Sequence, residues 1–163
     1  MSFELQVLEG EPLGDAWVRK PFIAVEGFRS SWWLEQAKGP LRFFVLTDTD
    51  LGQVARAQVS PTSFSGAAYP TWSGPESGAA EIDLLEVRAD LHGRGLGATT
   101  VDQIQAALGV PLIAISLNTA SDAFWRSLGW TEHLHQDTEG SADDDSTSLL
   151  FAGPTDHLVR TNA

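Results

Sequence analysis

The alternation of apolar and polar residues predicts strands and helices in the first part of the chain. Residues 3–7 alternate with the period of a half-buried strand. Residues 15–36 have the spacing of a helix, which Pro21 is expected to split into a short and a longer piece. Residues 42–46 and 53–59 are strand candidates on either side of a turn-forming stretch, so they predict an antiparallel hairpin.

A long segment without periodicity follows the hairpin. Between residues 60 and 80, proline, glycine and serine exclude any long regular element. Tyr69 and Trp72 lie on this segment, whose length is typical of a functional lid or binding edge, although a linker that carries unrelated aromatic residues has the same pattern. Residues 81–87 then predict a strand, and the apolar stripe of residues 96–108 predicts a helix.

Apolar residues in the last third of the chain predict the remaining elements of one sheet. Residues 112–117 are nearly all apolar, as in a strand buried on both faces. The capping pattern at residues 119–122 predicts a short helix. Residues 130–135 and 148–152 predict a closing antiparallel pair of strands, and residues 153–163 a loose tail.

The order of these elements predicts the fold class. A strand, two helices, three strands, a helix, a strand, a helix and two strands indicate one α/β domain over residues 1–152, before the tail. Its sheet is expected to be single, mixed and mostly antiparallel. About seven strands should form it, with about four helices flanking it.

Composition narrows the class of protein. With 163 residues, 42% of them hydrophobic and 20% charged, the chain is long enough for one globular domain. It has no cysteine, which excludes a thiol nucleophile and a disulfide framework. No apolar run is long enough to span a bilayer and no secretory leader is recognisable, so we expect a cytoplasmic protein with no membrane partner.

The acidic balance of the chain bears on its partners. The formal net charge is −12, and five of the acidic residues lie between residues 137 and 145, in what we expect to be a solvated loop. Such acidity argues against a nucleic acid partner, because phosphate backbones need a basic surface. It permits a cationic substrate such as an amine, although acidity that serves solubility alone explains it equally well.

The stretch from His92 to Gly97 is the strongest candidate for binding chemistry. It joins the predicted strand of residues 81–87 to the predicted helix of residues 96–108, and its alternating glycines let the backbone turn tightly beside a ligand. The unpaired N–H groups at the start of the helix, and the positive end of its dipole, point back at this turn. The stretch therefore predicts a phosphate site.

Gly93, Gly95 and Ala98 also satisfy a dinucleotide-binding pattern, but their surroundings count against it. Residues 88–92 separate the glycines from their strand, and the next predicted strand ends without the acidic residue that binds the ribose. A Walker loop is excluded because no Gly-Lys-Ser or Gly-Lys-Thr follows the glycines.

A wider pattern around the glycines resembles the GNAT superfamily of acyl-CoA N-acyltransferases, whose sheet is splayed beside the cofactor. The family shares a strand, a Gln/Arg-x-x-Gly-x-Gly/Ala turn, a helix, a buried strand ending in Asn, an aromatic pair and a closing Leu-Gly-Phe. The matching residues here are 81–87, His92–Gly97, Asn118, Phe124, Trp125, Leu128, Gly129 and Trp130. The match covers about a third of the chain directly, and the flanking strand order agrees over nearly all of it.

The resemblance implies acetyl-CoA as the cofactor. Backbone N–H groups from Gly93 to Ala98 would hold its pyrophosphate, and the backbone from Leu85 to Val87 would pair with its pantetheine arm. Arg94 is expected either to contact a phosphate or to face solvent. The implied cofactor-binding residues are Leu85, Glu86, Val87, His92, Gly93, Arg94, Gly95, Leu96, Gly97, Ala98, Asn118 and Trp125.

Two residues depart from the family pattern. His92 replaces the usual Gln or Arg at the first position of the turn, where an imidazole can still form a hydrogen bond. Trp125 stands where many members carry the tyrosine that protonates the departing thiolate, and an indole cannot do so. Tyr69, the one tyrosine of the chain, or water would then be the acid, and Trp125 is expected to pack beside the cofactor arm.

The implied chemistry is attack of an amine on a thioester, which needs a base to take a proton from the ammonium. Glu81 lies at the offset before the glycines at which some family members carry a catalytic glutamate, and Asp83 shares its strand face. We predict Glu81 as the base and Asp83 as the next candidate, with a solvated strand-edge carboxylate as the alternative for each. Trp32, Tyr69 and Trp72 lie in segments that flank the acceptor cleft of the family and are predicted to bind the substrate.

The resemblance and the residues together predict an N-acetyltransferase. The acetyl group would pass from acetyl-CoA to a primary amine of a small molecule or peptide, by direct attack in a ternary complex. The alternatives are a catalytically silent acyl-CoA-binding sensor or assembly module, and a fold that binds no cofactor. Family members often form homodimers, so the resemblance implies a homodimer as one option and leaves the oligomeric state of this chain open. His133 and His135 lack a third ligand, so no metal site is predicted.

Overall fold

The computed structural model of the chain describes residues 2–62, 68–74, 78–136 and 149–155. Ten strands, three α-helices and one short 3-10 helix lie within these residues. The predicted acidic loop of residues 137–145 and most of the predicted tail lie outside them.

The strands and helices have the following bounds. The strands are β1 (Phe3–Leu8), β2 (Glu11–Gly14), β3 (Trp17–Arg19), β4 (Gln36–Lys38), β5 (Arg42–Asp48), β6 (Gly52–Thr62), β7 (Ala79–Val87), β8 (Leu112–Ile115), β9 (Thr131–His133) and β10 (Leu150–Ala152). The helices are α1 (Ser30–Trp33), α2 (Leu96–Leu108) and α3 (Thr119–Ser127), and the 3-10 helix is Ala89–Leu91.

Hydrogen bonds join seven of these strands in the order β1-β5-β6-β7-β8-β10-β9, which confirms the predicted α/β class and strand number. The sheet is mixed, because β7 and β8 run parallel whereas β1 with β5, β5 with β6, and β10 with both β8 and β9 run antiparallel. The parallel ladder pairs Ala80 with Leu112 and Glu81 with Ile113. The predicted hairpin is confirmed as β5 and β6.

Two compact units make up the chain, and β7 contributes residues to both of them. The first unit consists of Met1–Ser60 and Ile82–Leu108. The second unit consists of Pro61–Glu81 and Gly109–Ala163.

The core of the first unit fixes both ends of the glycine motif. Leu46, Val54 and Ala55 of the hairpin are buried together with Leu91 and Leu96. Leu91 ends the 3-10 helix and Leu96 begins α2, so apolar burial anchors the backbone on each side of the turn between them.

The helical prediction for residues 15–36 is wrong. This stretch contains β3, the four-residue helix α1 and the start of β4, and a second, three-stranded sheet of β2, β3 and β4 forms there. Gly14, Asp15 and Ala16 have φ values of 99°, 51° and 65°, and Gly27 has a φ of 95°. A right-handed helix cannot pass through such residues.

The aromatic residues of that stretch form a cluster rather than a helical stripe. The ring centre of Phe22 lies 5.0 Å from that of Trp33 and 5.9 Å from that of Phe43, each in an edge-to-face arrangement. Val45 and the partly buried Leu84 complete the contact. The apolar spacing that suggested a helix therefore reflects packing of an irregular segment against β5 and β7.

The second unit follows the sequence prediction more closely. β8 and α3 lie where a buried strand and a short helix were expected, and β9 and β10 form the predicted antiparallel pair. Asn118 rather than Thr119 is the N-cap of α3, since its Oδ1 accepts a hydrogen bond from the Ser121 backbone N–H at 2.8 Å. An Asn side chain in this position satisfies one of the unpaired donors at the helix start.

A buried arginine lies inside the first unit. Arg56 is 1% exposed, and its Nε and Nη2 donate to Gln53 Oε1 at 2.9 and 2.7 Å, while Nη2 also donates to the Ile23 carbonyl at 2.9 Å. The rings of Phe22 and Phe28 lie 4.7 and 4.3 Å from the guanidinium carbon. Burial lowers the pKa of Arg56 to about 10, so the side chain remains charged at neutral pH and depends on these partners.

Gln53→Met should lower the free energy of unfolding by about 2 kcal/mol, because it leaves two donors of a buried, charged guanidinium without their acceptor. Urea denaturation measures the change. Gln6→Met on the exposed side of β1 is the matched control and should shift stability by less than about 0.5 kcal/mol. Equal effects of the two substitutions would contradict the assigned role of Gln53.

Candidate cofactor and acceptor sites

The glycine turn, defined as His92–Gly95, joins the 3-10 helix to α2, and all four of its residues are exposed. Gly93 and Gly95 have φ values of 80° and 75°, in the left-handed region that favours glycine. A Cβ at either position would meet no atom within 4 Å. Glycine is therefore required for the backbone conformation, and the space beside the turn is open to a ligand.

The start of α2 has the electrostatics that an anion site needs. No acidic residue lies in its first turn, so no carboxylate of the helix neutralises the positive end of the dipole. Leu96 and Gly97 are buried and Ala98 is half-buried, which places the helix start against the core. The predicted phosphate cradle therefore has a fixed backbone and an exposed approach.

His92 forms a hydrogen bond within the first unit. Its Nε2 lies 2.9 Å from the carbonyl oxygen of Val87, so the imidazole donates from Nε2 to the last residue of β7. Nδ1 is the nitrogen that remains for a ligand. Arg94 is exposed and has no hydrogen bond or ion pair within the described residues, so a phosphate contact and a solvent-facing role both stay open for it.

Arg88 fixes the segment that enters the glycine turn. Its Nη1 donates to the carbonyl oxygens of Leu51 and Gln53 at 2.6 and 2.9 Å, and its Nε donates to Asp90 at 2.7 Å. Its backbone N–H bonds to the Val54 carbonyl at 2.9 Å. A Cβ on Gly27 would lie 2.6 Å from the Cγ of Arg88, so only glycine allows this close approach. The arginine thereby ties the turn to the β5–β6 hairpin.

Glu86 on β7 holds the start of α1. Its side chain is 10% exposed, and its Oε1 accepts the backbone N–H of Arg29 at 2.7 Å and the indole N–H of Trp33 at 3.3 Å. Its Oε2 lies 3.4 Å from Arg29 Nε. Arg29, the N-cap residue of α1, supplies no side-chain cap of its own. A predicted cofactor residue therefore uses its side chain to support α1, and only its backbone remains a candidate for the pantetheine arm.

Lys20 holds the other end of α1. It is 8% exposed, and its Nζ donates to the Trp32 carbonyl oxygen at 2.6 Å. Burial lowers the pKa of the Lys20 ammonium, while the charges of Glu35 and Asp83 oppose the shift. A helix of four residues is too short to be stable by itself, so these two charged side chains and the burial of Trp33 hold it in place.

Asp83 contacts the neighbouring strand β6. Its Oδ1 accepts the Ser60 hydroxyl at 2.9 Å and its Oδ2 accepts the Gln58 amide at 3.3 Å. The carboxylate is half-buried and hydrogen-bonded rather than free in solvent. Its position as the second candidate base stays a prediction.

Glu81 and Tyr69 come together within the second unit. Tyr69 is 3% exposed, and burial raises the pKa of its hydroxyl, with the charge of Glu81 raising it further. Tyr69 is therefore protonated at neutral pH and lies within electrostatic reach of the predicted base. These two groups were predicted separately, one as a base and the other as a substrate contact or an acid.

The remaining predicted residues of the second unit serve its packing. Trp125 is 6% exposed, and its ring centre lies 4.7 Å from that of Trp130 and 4.8 Å from that of Phe124. The Oδ1 of Asn118 is used by the helix cap described above. Trp72 packs on the cluster around Tyr69. Cofactor or substrate contacts of these residues stay predictions.

Several polar residues that contact the candidate site residues were not singled out from the sequence. Lys20, Gln58 and Ser60 contact α1 or Asp83, and Arg29 stacks on Trp32 with 4.4 Å between the guanidinium carbon and the ring centre. Their only sequence signal was a polar residue within or beside a predicted strand or helix. That signal does not separate a buried contact from a solvated one.

The described residues contain no group of three or more His, Cys, Asp or Glu side chains that could hold a metal ion. No helix among them is both long and apolar enough to cross a bilayer. His133 instead lies 2.7 Å through its Nδ1 from the Thr71 hydroxyl, and burial lowers the pKa of His133, which favours its neutral form.

The chain has the fold of the GNAT acetyltransferases. No family model and no curated protein matches its sequence. Solved structures with this fold include the KacTA–DNA complex, which is 15% identical over 99% of this chain and 98% of its own, with a TM-score of 0.57. AtaT complexed with acetyl-methionyl-tRNAfMet is 21% identical over 76% of each chain, with a TM-score of 0.52. An acetyltransferase from Thermus thermophilus is 21% identical over 70% of this chain and 64% of its own, with a TM-score of 0.50.

The exclusion of a nucleic acid partner is wrong. Proteins with the same fold are found in complexes with DNA and with an acetylated tRNA, so this fold does not rule out such a partner. A net charge sums over the whole chain, whereas binding depends on the local surface. Five of the 22 acidic residues that make the net charge negative lie between residues 137 and 145, outside the described residues.

Gly93→Ala should lower the free energy of unfolding by about 1 kcal/mol, since an L-residue in the left-handed region is strained even where its Cβ meets nothing. Gly93→Asn should cost less, because asparagine adopts this region more readily. Thermal or urea unfolding of the two variants gives the comparison. An alanine variant as stable as the asparagine variant would show that the turn does not need the left-handed conformation.

Proposed function

We propose that the protein is an acyl-CoA-dependent N-acyltransferase, with acetyl-CoA as its donor. One observation carries the proposal: two exposed left-handed glycines, with open space beside them, directly precede a helix whose first turn has no acidic residue. Backbone N–H groups in such a turn bind phosphates without help from side chains. The shared fold of GNAT acetyltransferases supports the choice of coenzyme A over other phosphate ligands.

The residues present fit a bound acyl-CoA. The turn from Gly93 to Ala98 would hold its pyrophosphate, and the β7 backbone from Leu85 to Val87 would hold its pantetheine arm. The Glu86 side chain contacts Arg29 and Trp33, so only the backbone of this residue is proposed to contact the arm. When bound, the cofactor supplies an acyl carbon activated as a thioester.

The catalytic role of the chain is proton transfer and orientation. We assign Glu81 as the base that takes a proton from the acceptor ammonium, so that the amine has a free lone pair. Tyr69 is one candidate proton donor to the departing sulfur, because it is protonated at neutral pH, although its raised pKa makes it a weak acid. Water is the alternative donor, since a thiol with a pKa near 8.5 is a tolerable leaving group.

The acceptor is proposed to be a primary amine, and Trp32, Tyr69 and Trp72 are proposed to contact it. The kind of molecule that bears this amine is best identified with a panel of small-molecule amines, peptides and aminoacyl-tRNA. The last of these is included because the AtaT structure with the same fold holds acetyl-methionyl-tRNAfMet. A cytoplasmic location and a homodimer remain parts of the proposal.

Acetyl-CoA at about 100 times its dissociation constant should stabilise the protein by about 2.7 kcal/mol, which a thermal-shift measurement detects as a higher Tm. Thiol release with the amine panel then tests turnover. Stabilisation without thiol release from any amine would favour an acyl-CoA sensor. The absence of stabilisation would overturn the cofactor assignment.

Glu81→Gln should bind acetyl-CoA normally and lose about 100-fold in kcat near pH 7, because the base is removed while the size of the side chain is kept. The deficit should shrink as pH rises, since a growing fraction of the amine is already deprotonated. Asp83→Asn is the comparison, as it shares the β7 face and alters a different carboxylate. A pH–rate profile unchanged in Glu81→Gln but altered in Asp83→Asn would transfer the role to Asp83.

A further inference from the structure

Arg29 is an exposed arginine whose position is restrained on several sides. About two thirds of its side chain is exposed, at 64%. Its guanidinium carbon lies 4.4 Å from the centre of the Trp32 ring, and its Nε lies 3.4 Å from Glu86 Oε2. Its backbone N–H donates to Glu86 Oε1 at 2.7 Å. An arginine held in this way has lost part of its rotamer freedom before any ligand binds.

The outer edge of this guanidinium is available to a ligand. Nη1 and Nη2 of Arg29 have no hydrogen-bond partner within the part of the chain that the structure describes. Together they form a planar pair of donors, which matches two oxygens of a carboxylate or phosphate. A lysine would present a point charge without this geometry.

The charge of Arg29 is only partly neutralised. Glu86 is the carboxylate that pairs with it, but the same carboxylate also acts electrostatically on the buried Arg56. One carboxylate therefore serves two guanidinium groups. The Nη1–Nη2 edge of Arg29, here called the fork, can attract an anion even though the chain as a whole is acidic.

The support beneath Arg29 is rigid. Lys20 Nζ holds the Trp32 carbonyl oxygen at 2.6 Å, and the fully buried Trp33 packs edge-on against Trp32 with 6.4 Å between ring centres. Glu86 connects Trp33, and with it α1, to β7, the strand proposed to hold the pantetheine arm. A ligand on the fork would thus lie at a fixed place in the first unit.

We infer that Arg29, stacked on Trp32, binds an oxyanion carried by the acceptor amine. The inference rests on the proposed function, in which Trp32 belongs to the acceptor wall. The acceptor would therefore be an amine that also bears a carboxylate or a phosphate. Arg29 is the specificity-determining residue, and Glu86 and Lys20 are positioning residues that act through α1.

The test titrates the intact protein, without acyl-CoA, with three small amines and measures binding by calorimetry. Phosphoethanolamine carries a phosphate, β-alanine carries a carboxylate, and ethanolamine carries neither. At least one of the first two should bind about tenfold more tightly than ethanolamine, as expected for a charge-assisted hydrogen-bonded pair. The stronger of the two identifies the oxyanion.

Arg29→Gln should remove that preference, and Arg29→Lys should retain only part of it because the fork is lost while the charge is kept. Arg42→Gln, which changes an exposed arginine on β5, is the matched control and should leave the preference unchanged. Equal binding of all three amines by the native protein would overturn the inference. So would an undiminished preference in Arg29→Gln.

Turnover separates this inference from the proposed function. A protein that binds the oxyanion-bearing amines through Arg29, but never releases thiol from acetyl-CoA, would retain the anion site and lose the acyltransferase assignment. A protein that acetylates amines with equal kcat/KM whether or not they carry an oxyanion would retain the enzyme assignment and lose the role of Arg29.

Discussion

The guanidinium of Arg88 is the interaction on which the first unit depends. It reaches from the end of β7 to the carbonyl oxygens of Leu51, just before β6, and Gln53, near the start of β6. The segment at Gly27 packs directly on its aliphatic stem. Two of its hydrogen bonds go to these backbone carbonyls and two go to the Asp90 carboxylate, so the guanidinium restrains the chain itself as well as a side chain. The 3-10 helix and the glycine turn begin immediately beyond it. The geometry proposed to bind phosphate is therefore set from the hairpin side.

Buried charges organise the segment around α1 in the same unit. Glu86 and Lys20 hold opposite ends of α1, each in the orientation that complements a helix dipole. The guanidinium of Arg56 contacts the rings of Phe22 and Phe28. Each of these groups is costly to bury and becomes favourable only when its partners are in place. The segment that carries Trp32 is thus defined by tertiary contacts rather than by its own helical tendency.

The sequence predicted elements best where local pattern and tertiary packing agree. The hairpin of β5 and β6, helix α2 and the pair of β9 and β10 have clear periodicity and turn residues, and the glycine turn has a motif. Residues 15–36 were misassigned because aromatic spacing there serves a cluster around Trp33, and because left-handed backbone at Asp15 and Ala16 has no reliable sequence signal. The roles of Lys20, Gln58 and Arg29 could not be predicted either, because they depend on contacts with residues that are distant in the sequence.

The small sheet of β2, β3 and β4 leaves two strand edges within the described residues, and both carry features that discourage aggregation. β2 is exposed along its length, yet Pro12 removes one backbone donor that an incoming strand would need. β4 presents Lys38 at the opposite edge, where a charge opposes the stacking of identical chains. This sheet is therefore poorly suited to growth by strand addition, even though only its central strand β3, through Val18, packs on the aromatic cluster of the first unit.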